Sequence, residues 1–363
     1  MQNKRIIEIA SLRGIDPHVK TWEDVHIAII DEFGDDAYSL RHIQRIYKAY
    51  LDDTYKVETS EDLQREKYQL ADIQREYRAL IREQARIDAL KDVVRNELKD
   101  LEPIPYVPVH YPSGDGYMVT NVSDWHIGAK HENYLGEFNF EIAKKRINRY
   151  ATETVKRIQR DKPKEVLILN LNDLIEGNIH ISTRIQAEFD AVQQTIKASE
   201  LLAQFIAEVA NHAPVVKVGQ VLDNHSRINK NKREHIEAES FGKILEYIVK
   251  ERLGNHENIK FVGNPIDDNI GLTQLGGTRI AWVHGHLDKP QTVKSKLEDI
   301  IGIKVDYVFI AHRHHIMITD NVIQVGSLKG TDEYAFNLRL GERASQTIVT
   351  FNDYEFNISN IYF

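Results

Sequence analysis

Aspartate, asparagine and histidine recur through the second half of this sequence in short blocks whose spacing suits metal chemistry. They are Ser123-Asp124-Trp125-His126, Asn172-Asp173-Leu174-Ile175-Glu176-Gly177, Asp223-Asn224-His225-Ser226, His284-Gly285-His286 and Ala311-His312-Arg313-His314-His315. Each follows a short apolar run, at 118–122, 166–171, 215–218, 280–283 and 307–310. Such runs read as buried strands, and open α/β sheets bind ligands at the carboxyl ends of their strands. Singly, any of these residues reads as a hydrogen-bonded structural side chain. Placed repeatedly at strand ends, they read as one site. The chain has 16 His and no Cys, so disulfides and thiolate sites are excluded and a metal must be held by nitrogen and oxygen. Carboxylates, imidazoles and an amide together suit two divalent ions about 3.5–4 Å apart. Such a pair stabilises the attacking and leaving oxygens of a phosphate ester and makes hydroxide available near neutral pH.

Together the blocks resemble the calcineurin-like metallophosphoesterases, whose pattern runs D-x-H, G-D-x-x-[DE]-G, G-N-H-[DE], a histidine before glycine, and G-H-x-H. The likeness spans residues 117–330. It implies an α/β fold of the four-layer α/β/β/α sandwich type. It implies a ligand set as well: Asp124, His126 and His314 for one ion, Asn224, His284 and His312 for the other, and Asp173 bridging them. His225 would be the general acid, or the donor that steadies the phosphate oxygens, so His225 and Asp173 are the candidate catalytic residues. Within the family the likeness is to phage-type and DNA-processing, SbcD-like members. The block at 173–177 lacks the arginine of protein phosphatases, and the opening at 124–128 is similar to D-x-H-x-G of DNA-processing members. Gln324-Val325-Gly326-Ser327-Leu328, followed by Asp332-Glu333-Tyr334-Ala335, is similar to the tail of phage members.

Asn172, Asp223 and Ala311 stand where the family has glycine. None removes a ligand, but glycine serves tight backbone positions, so metal preference and rate are at issue. Gly254-Asn255-His256-Glu257 matches the third block letter for letter, yet it follows a helical pattern at 241–253 and no strand, so Gly254 reads as a helix cap. His286 and His315 sit beside ligands but off the pattern and read as supporting or solvent-facing, His131 and His180 read as surface residues with substrate contact as the lesser alternative, and Glu176 reads as orienting a ligand or a loop.

Lys217, Arg227, Lys230, Lys232 and Arg233 surround the Asn224-His225 block in a chain of net charge −8. That balance argues against indiscriminate binding to nucleic acid but leaves room for a local basic cleft. Arg227, Lys230, Lys232 and Arg233 are the candidate phosphate contacts, with a solvated loop as the equal alternative. The leading expectation is two-metal hydrolysis of phosphodiester bonds in nucleic acid. The alternatives are a phosphatase or cyclic-nucleotide phosphodiesterase on small substrates, and a regulatory protein with a vestigial metal site. The donor set suits Mn²⁺, Fe²⁺, Zn²⁺ or Ni²⁺, and the family resemblance favours manganese.

Around these blocks, helical periodicity at 138–160 and 188–210 alternates with the apolar runs. The metallophosphoesterase domain is therefore placed at 117–363, after a Pro-rich linker at 103–116. Residues 58–102 read as a long charged helix, with Leu70, Ile73, Tyr77, Leu80, Ile87, Val94, Leu98 and Leu101 in a heptad rhythm broken by Gln84 and Lys91. This coiled-coil-like arm predicts a homodimer. Residues 1–57 read as a small all-helical domain, with Thr21 and Ser39 as caps and Arg41, Arg45 and Lys48 on one helix face, compatible with a helix-turn-helix. No apolar run approaches the roughly 18–20 residues of a membrane helix, and the first residues open no signal peptide. The expected location is the cytoplasm, that of the host if the chain is phage-encoded.

Overall fold

The structure, a computed structural model, describes residues 2–34, 38–54, 60–99, 101–109, 114–232, 235–237, 239–337, 339 and 341–363. It divides into two compact units, Met1–Asp88 and Ala89–Phe363.

The first unit begins with three short helices, α1 (Gln2–Ser11), α2 (Trp22–Phe33) and α3 (Leu40–Thr54). At the start of α2 the Thr21 hydroxyl accepts from the Asp24 amide while the Asp24 carboxylate accepts from the Thr21 amide, a closed capping box. Ser39 Oγ accepts from the His42 amide at the start of α3. Ile6, Ile9, Val25, Ile29 and Ile43 form the core of these helices, with Trp22 set edge-on to Tyr47. Arg41, Arg45 and Lys48 are exposed. The long helix α4 runs Ser60–Lys99, and on it Leu70, Ile73 and Tyr77 are exposed. The expected domain boundary at 57–58, and the side chains of Leu80, Gln84, Ile87, Lys91, Val94 and Leu98, lie outside the described residues.

The second unit is mixed α/β. Its elements are β1 (Tyr117–Ser123), β2 (His131–Asn133), β3 (Gly136–Phe138), α5 (Phe140–Asp161), β4 (Glu165–Asn172), α6 (Ile181–Gln186), α7 (Ala191–Ala210) and β5 (Val216–Gln220). There follow α8 (Phe241–Arg252), β6 (Ile259–Val262), β7 (Gly271–Leu275), β8 (Thr278–Val283), α9 (Val293–Ile301) and β9 (Tyr307–Ile310). The chain closes with β10 (Met317–Ile318), β11 (Val322–Gln324), α10 (Glu333–Asn337), β12 (Ser345–Phe351) and β13 (Phe356–Tyr362).

Six strands make one sheet in the order β13-β12-β1-β4-β5-β6, and five make another in the order β10-β11-β9-β8-β7. β1, β4, β5 and β6 are parallel, as are β8, β9 and β11, so their carboxyl ends point one way within each sheet. Burial on both faces explains the nearly continuous apolar runs within β4, β8 and β9. Leu167, Leu169 and Val349 of the first sheet share one apolar cluster with Trp282, Phe309 and Ile323 of the second. The opposite side of the first sheet packs on α5, α7 and α8 through Tyr150, Leu202, Phe205 and Leu245, and the second sheet carries α9 through Val293 and Leu297. No described helix is long and apolar enough to cross a membrane.

Residues 101–109 have no regular structure but are tied down. Asn211 bonds the Pro105 carbonyl and the Val107 amide, Arg252 donates to the Glu102 carbonyl, and Tyr106 lies on His256.

Candidate metal centre

Every block singled out in the sequence lies at the carboxyl end of a strand: Asp124 and His126 after β1, Asp173 after β4, Asn224 and His225 beyond β5, His284 after β8, and His312 and His314 after β9. The first two loops are laced together. The amides of Asp124, His126 and Ile127 donate to the carbonyls of Asn172, Asp173 and Leu174, and the Glu176 amide returns a bond to Ile127. The other sheet is joined through its histidine, because His284 Nδ1 lies 2.7 Å from the Leu171 carbonyl oxygen. A carbonyl can only accept, so Nδ1 carries a proton and Nε2 is turned toward the other blocks.

Asp124, His126, Asp173 and His314 bring ligand atoms within 4.8 Å of one another, and Asp173, His284 and His312 form a second such group. Nε2 of His314 lies 3.1 Å from Asp124 Oδ1 and 3.2 Å from Nε2 of His126. In the second group, Nε2 of His284 lies 3.1 Å from Asp173 Oδ2, 3.2 Å from Asn224 Oδ1 and 3.2 Å from His312 Nδ1. Atoms bound to one ion at about 2.1 Å, at right angles, are separated by about 3 Å. Both oxygens of Asp124 and Oδ2 of Asp173 are buried and receive no hydrogen bond of good geometry. Buried carboxylate oxygens are seldom left so, and convergence on imidazole nitrogens fits a cation between them. The residues present therefore fit a pair of divalent ions, with Asp173 common to both groups.

The backbone is strained at most of the candidate ligands. Asp124, His126, Asp173, His312 and His314 all have positive φ, between 49° and 69°. Non-glycine residues avoid that region, and clusters of such residues mark functional loops.

No family model matches the chain. It is similar to the SPbeta prophage-derived uncharacterized protein YonJ of Bacillus subtilis (strain 168), 27% identical over 264 residues that make up 68% of this chain and 64% of that protein. The chain thus spans about two thirds of that relative's length. Among solved structures it is similar to Vps29 of Chaetomium thermophilum, with TM-score 0.29 and 10% identity over 68% of this chain and 96% of that one. It is also similar to the calcineurin-like phosphoesterase YfkN of Bacillus subtilis, with TM-score 0.28 and 10% identity over 68% of this chain and 91% of that one.

Electrostatics divides the imidazoles. Burial opposes charging His284, but Asp173 and Asp124 outweigh it and draw the ring up to about 10 when no ion is bound. Burial would likewise raise Asp173, yet His284 and His225 hold it well below the usual carboxylate range. Burial, with the charge of Lys329, pushes His126 down to about 4. His225 is raised, Asp173 and Glu176 overcoming burial, and its Nδ1 donates to the Glu176 carbonyl at 2.8 Å. Burial next to Asp173 lifts Asp223 to about 7, and one of its oxygens accepts from the Ser226 amide.

The remaining candidates separate clearly. Arg227 bonds the Asn224 carbonyl, Lys230 and Lys232 are exposed on the same loop, and Arg233 lies outside the described residues, as do the side chains of Glu333 and Tyr334. Lys217 does not join them: it sits near the start of β5, paired with Glu165 at 2.7 Å, because the strand carries it away from its carboxyl end. His286 packs against His284 and His312, His180 is 6.2 Å from the His225 ring, His131 stacks on Phe138, and His315 is exposed. The look-alike block behaves as a helix end, with the His256 amide bonded to the Leu253 carbonyl and the buried ring beside Tyr106, in neither ligand group. Lys329 and Gln194 were not anticipated. The first stands beside Glu176, and the second bonds the Gly177 amide and lies against Gly128. In the sequence the first is a single lysine just after the block at 324–328, with no local spacing that ties it to Glu176.

Proposed function

We propose that this chain is a two-metal phosphoesterase that cleaves phosphodiester bonds of nucleic acid. The observation that carries the reading is the convergence of carboxylate oxygens and imidazole nitrogens, at 3.1–3.2 Å, into two groups sharing Asp173. Asp124, His126 and His314 would hold one ion, Asn224, His284 and His312 the other, and Asp173 both. Manganese is the ion we propose. Such ions supply a bound water of lowered pKa and offset charge on the phosphoryl oxygens. The chain's own residues do the rest. His225, with Nδ1 engaged by the Glu176 carbonyl, keeps its other nitrogen for a proton that goes to the leaving oxygen. Arg227, which bonds the Asn224 carbonyl, and the exposed Lys230 and Lys232 of the same loop would grip flanking phosphates.

The apolar cluster shared by the two sheets, with helices outside each, supports the four-layer sandwich of the metallophosphoesterases. We propose residues 117–363 as the catalytic domain and 103–116 as its linker, preceded by the long helix at 58–102 and the small helical domain at 1–57, with the exposed apolar side chains of α4 pairing two copies as a coiled coil. The prophage origin of YonJ supports a phage-encoded protein acting in the host cytoplasm.

The test is hydrolysis of bis-(p-nitrophenyl) phosphate and of labelled single- and double-stranded DNA with Mn²⁺, Mg²⁺ or EDTA. Mn²⁺-dependent cutting of DNA, abolished in Asp173→Asn, is the expected result. Turnover of the small diester alone would move the substrate class to small molecules. No turnover with two ions bound would leave a regulatory protein.

A further inference from the structure

We infer that Lys329 is a positioning residue for the Asp124–His126–His314 group, acting through Glu176; this rests on the metal-dependent reading above. The Lys329 side chain is 3% exposed, an uncommon place for an ammonium. Its Nζ lies 2.8 Å from Asp332 Oδ2 and 3.5 Å from Glu176 Oε2. That same Glu176 oxygen lies 2.9 Å from Nδ1 of His126, close enough to accept although the approach is bent. One buried carboxylate oxygen therefore serves an ammonium on one side and an imidazole on the other.

The backbone of the lysine is fixed independently of its charge. Arg146 donates to the carbonyls of Leu328 and Lys329 at 2.7 Å and 3.0 Å. The Ser327 hydroxyl donates to the Asp124 carbonyl at 3.0 Å and accepts from the Lys329 amide at 3.1 Å. The segment is thus held against the loop that carries Asp124 and His126, and its lysine enters the site from behind.

The consequence for His126 is a choice of tautomer. With Nδ1 turned to Glu176, the Nε2 of His126 faces His314 in the group that also holds Asp124. Lys329, itself held by Asp332, keeps that carboxylate aimed at the imidazole. The other group has its own orienting partner, the Leu171 carbonyl on His284 Nδ1, which Lys329 does not touch. A structural staple would loosen both groups alike, whereas a residue working through Glu176 affects one.

The experiment is calorimetric titration of the metal-stripped full chain with Mn²⁺ for the wild type, Lys329→Met, Asp332→Asn, Glu176→Gln and the Glu176→Gln/Lys329→Met pair. The wild type should take up two ions. Lys329→Met should keep one at wild-type affinity and bind the other about 10–100-fold more weakly, the weakened ion being the one that His314→Ala also loses. Asp332→Asn should show a smaller loss at the same ion, and it decides the matter if Lys329→Met does not fold. Adding Lys329→Met to Glu176→Gln should change nothing further. Equal losses at both ions, unchanged affinities, or additive losses in the double variant would each overturn the positioning role while leaving the metal reading intact. A wild type that takes up no Mn²⁺ would overturn both.

Discussion

Asn172 shows how a side chain replaces a glycine at a left-handed position. Its φ is 70°, a value asparagine tolerates better than most residues, and its Nδ2 donates to the Val221 carbonyl at 2.9 Å. Asp223 and Ala311, the other two departures from the family pattern, do not have positive φ and so do not need glycine's freedom. The His225 ring falls with His126 and Glu176 rather than in either of the two groups above; its Nδ1 bonds the Glu176 carbonyl, and its backbone amide the Asp173 carboxylate. Replacing it with alanine should lower kcat by about 10²–10⁴-fold while leaving Mn²⁺ uptake unchanged, which steady-state kinetics beside a metal titration will check. His284 sets a pH dependence. Its ion-free ring is held protonated up to about 10, so an ion arriving near neutral pH must displace a proton from it. Mn²⁺ affinity should therefore rise by about tenfold per pH unit between pH 7 and 9, with proton release seen as a buffer-dependent binding enthalpy. A flat affinity across that range would contradict the assignment of His284.

At the scale of elements, the apolar runs were legible because strands buried on both faces leave little else in the sequence: the run at 307–310 is β9, and that at 166–171 lies within β4. The helices α5 and α7 were legible from their 3.6-residue rhythm. The residues of the two groups were legible as blocks because each lies within a few residues of its strand's carboxyl end, and the resemblance to a known pattern supplied their expected roles. What was not legible depends on distance across the chain. Lys329 meets Glu176 from 153 positions away, a pairing that no local spacing encodes. Lys217 misled for the opposite reason, being near Asn224 in sequence but at the wrong end of β5. Gly177 carries a prediction of this kind. At φ +73° any side chain is strained, and a Cβ there would run into the carbonyl oxygen of His225. Gly177→Ala should lower stability by about 1–3 kcal/mol in urea unfolding and reduce kcat, since the displaced residue is the proposed proton donor. Thr21→Ala, which opens the capping box of α2, should cost about 1 kcal/mol in the helical unit and leave hydrolysis unchanged.

Across the whole molecule, the ligand groups lie in one of the two compact units, Ala89–Phe363. Ions that bind only the folded form stabilise it by mass action, by about 2.7 kcal/mol at a hundredfold excess over Kd. Calorimetric scans should therefore show Mn²⁺ raising, and EDTA lowering, the transition of this unit, while the transition of the helical unit stays in place. A shift of both together would mean that the two unfold as one. The sheet order has a different consequence, which concerns synthesis. β1, whose end carries Asp124 and His126, is bordered by β12, and the loop beyond it is held by Ser327 and Lys329. A chain emerging from the ribosome exposes its first ligands some two hundred residues before the strand that flanks them. The helical segment can fold as it appears, but the two candidate ligand groups cannot take their places until the chain through β12 has been made.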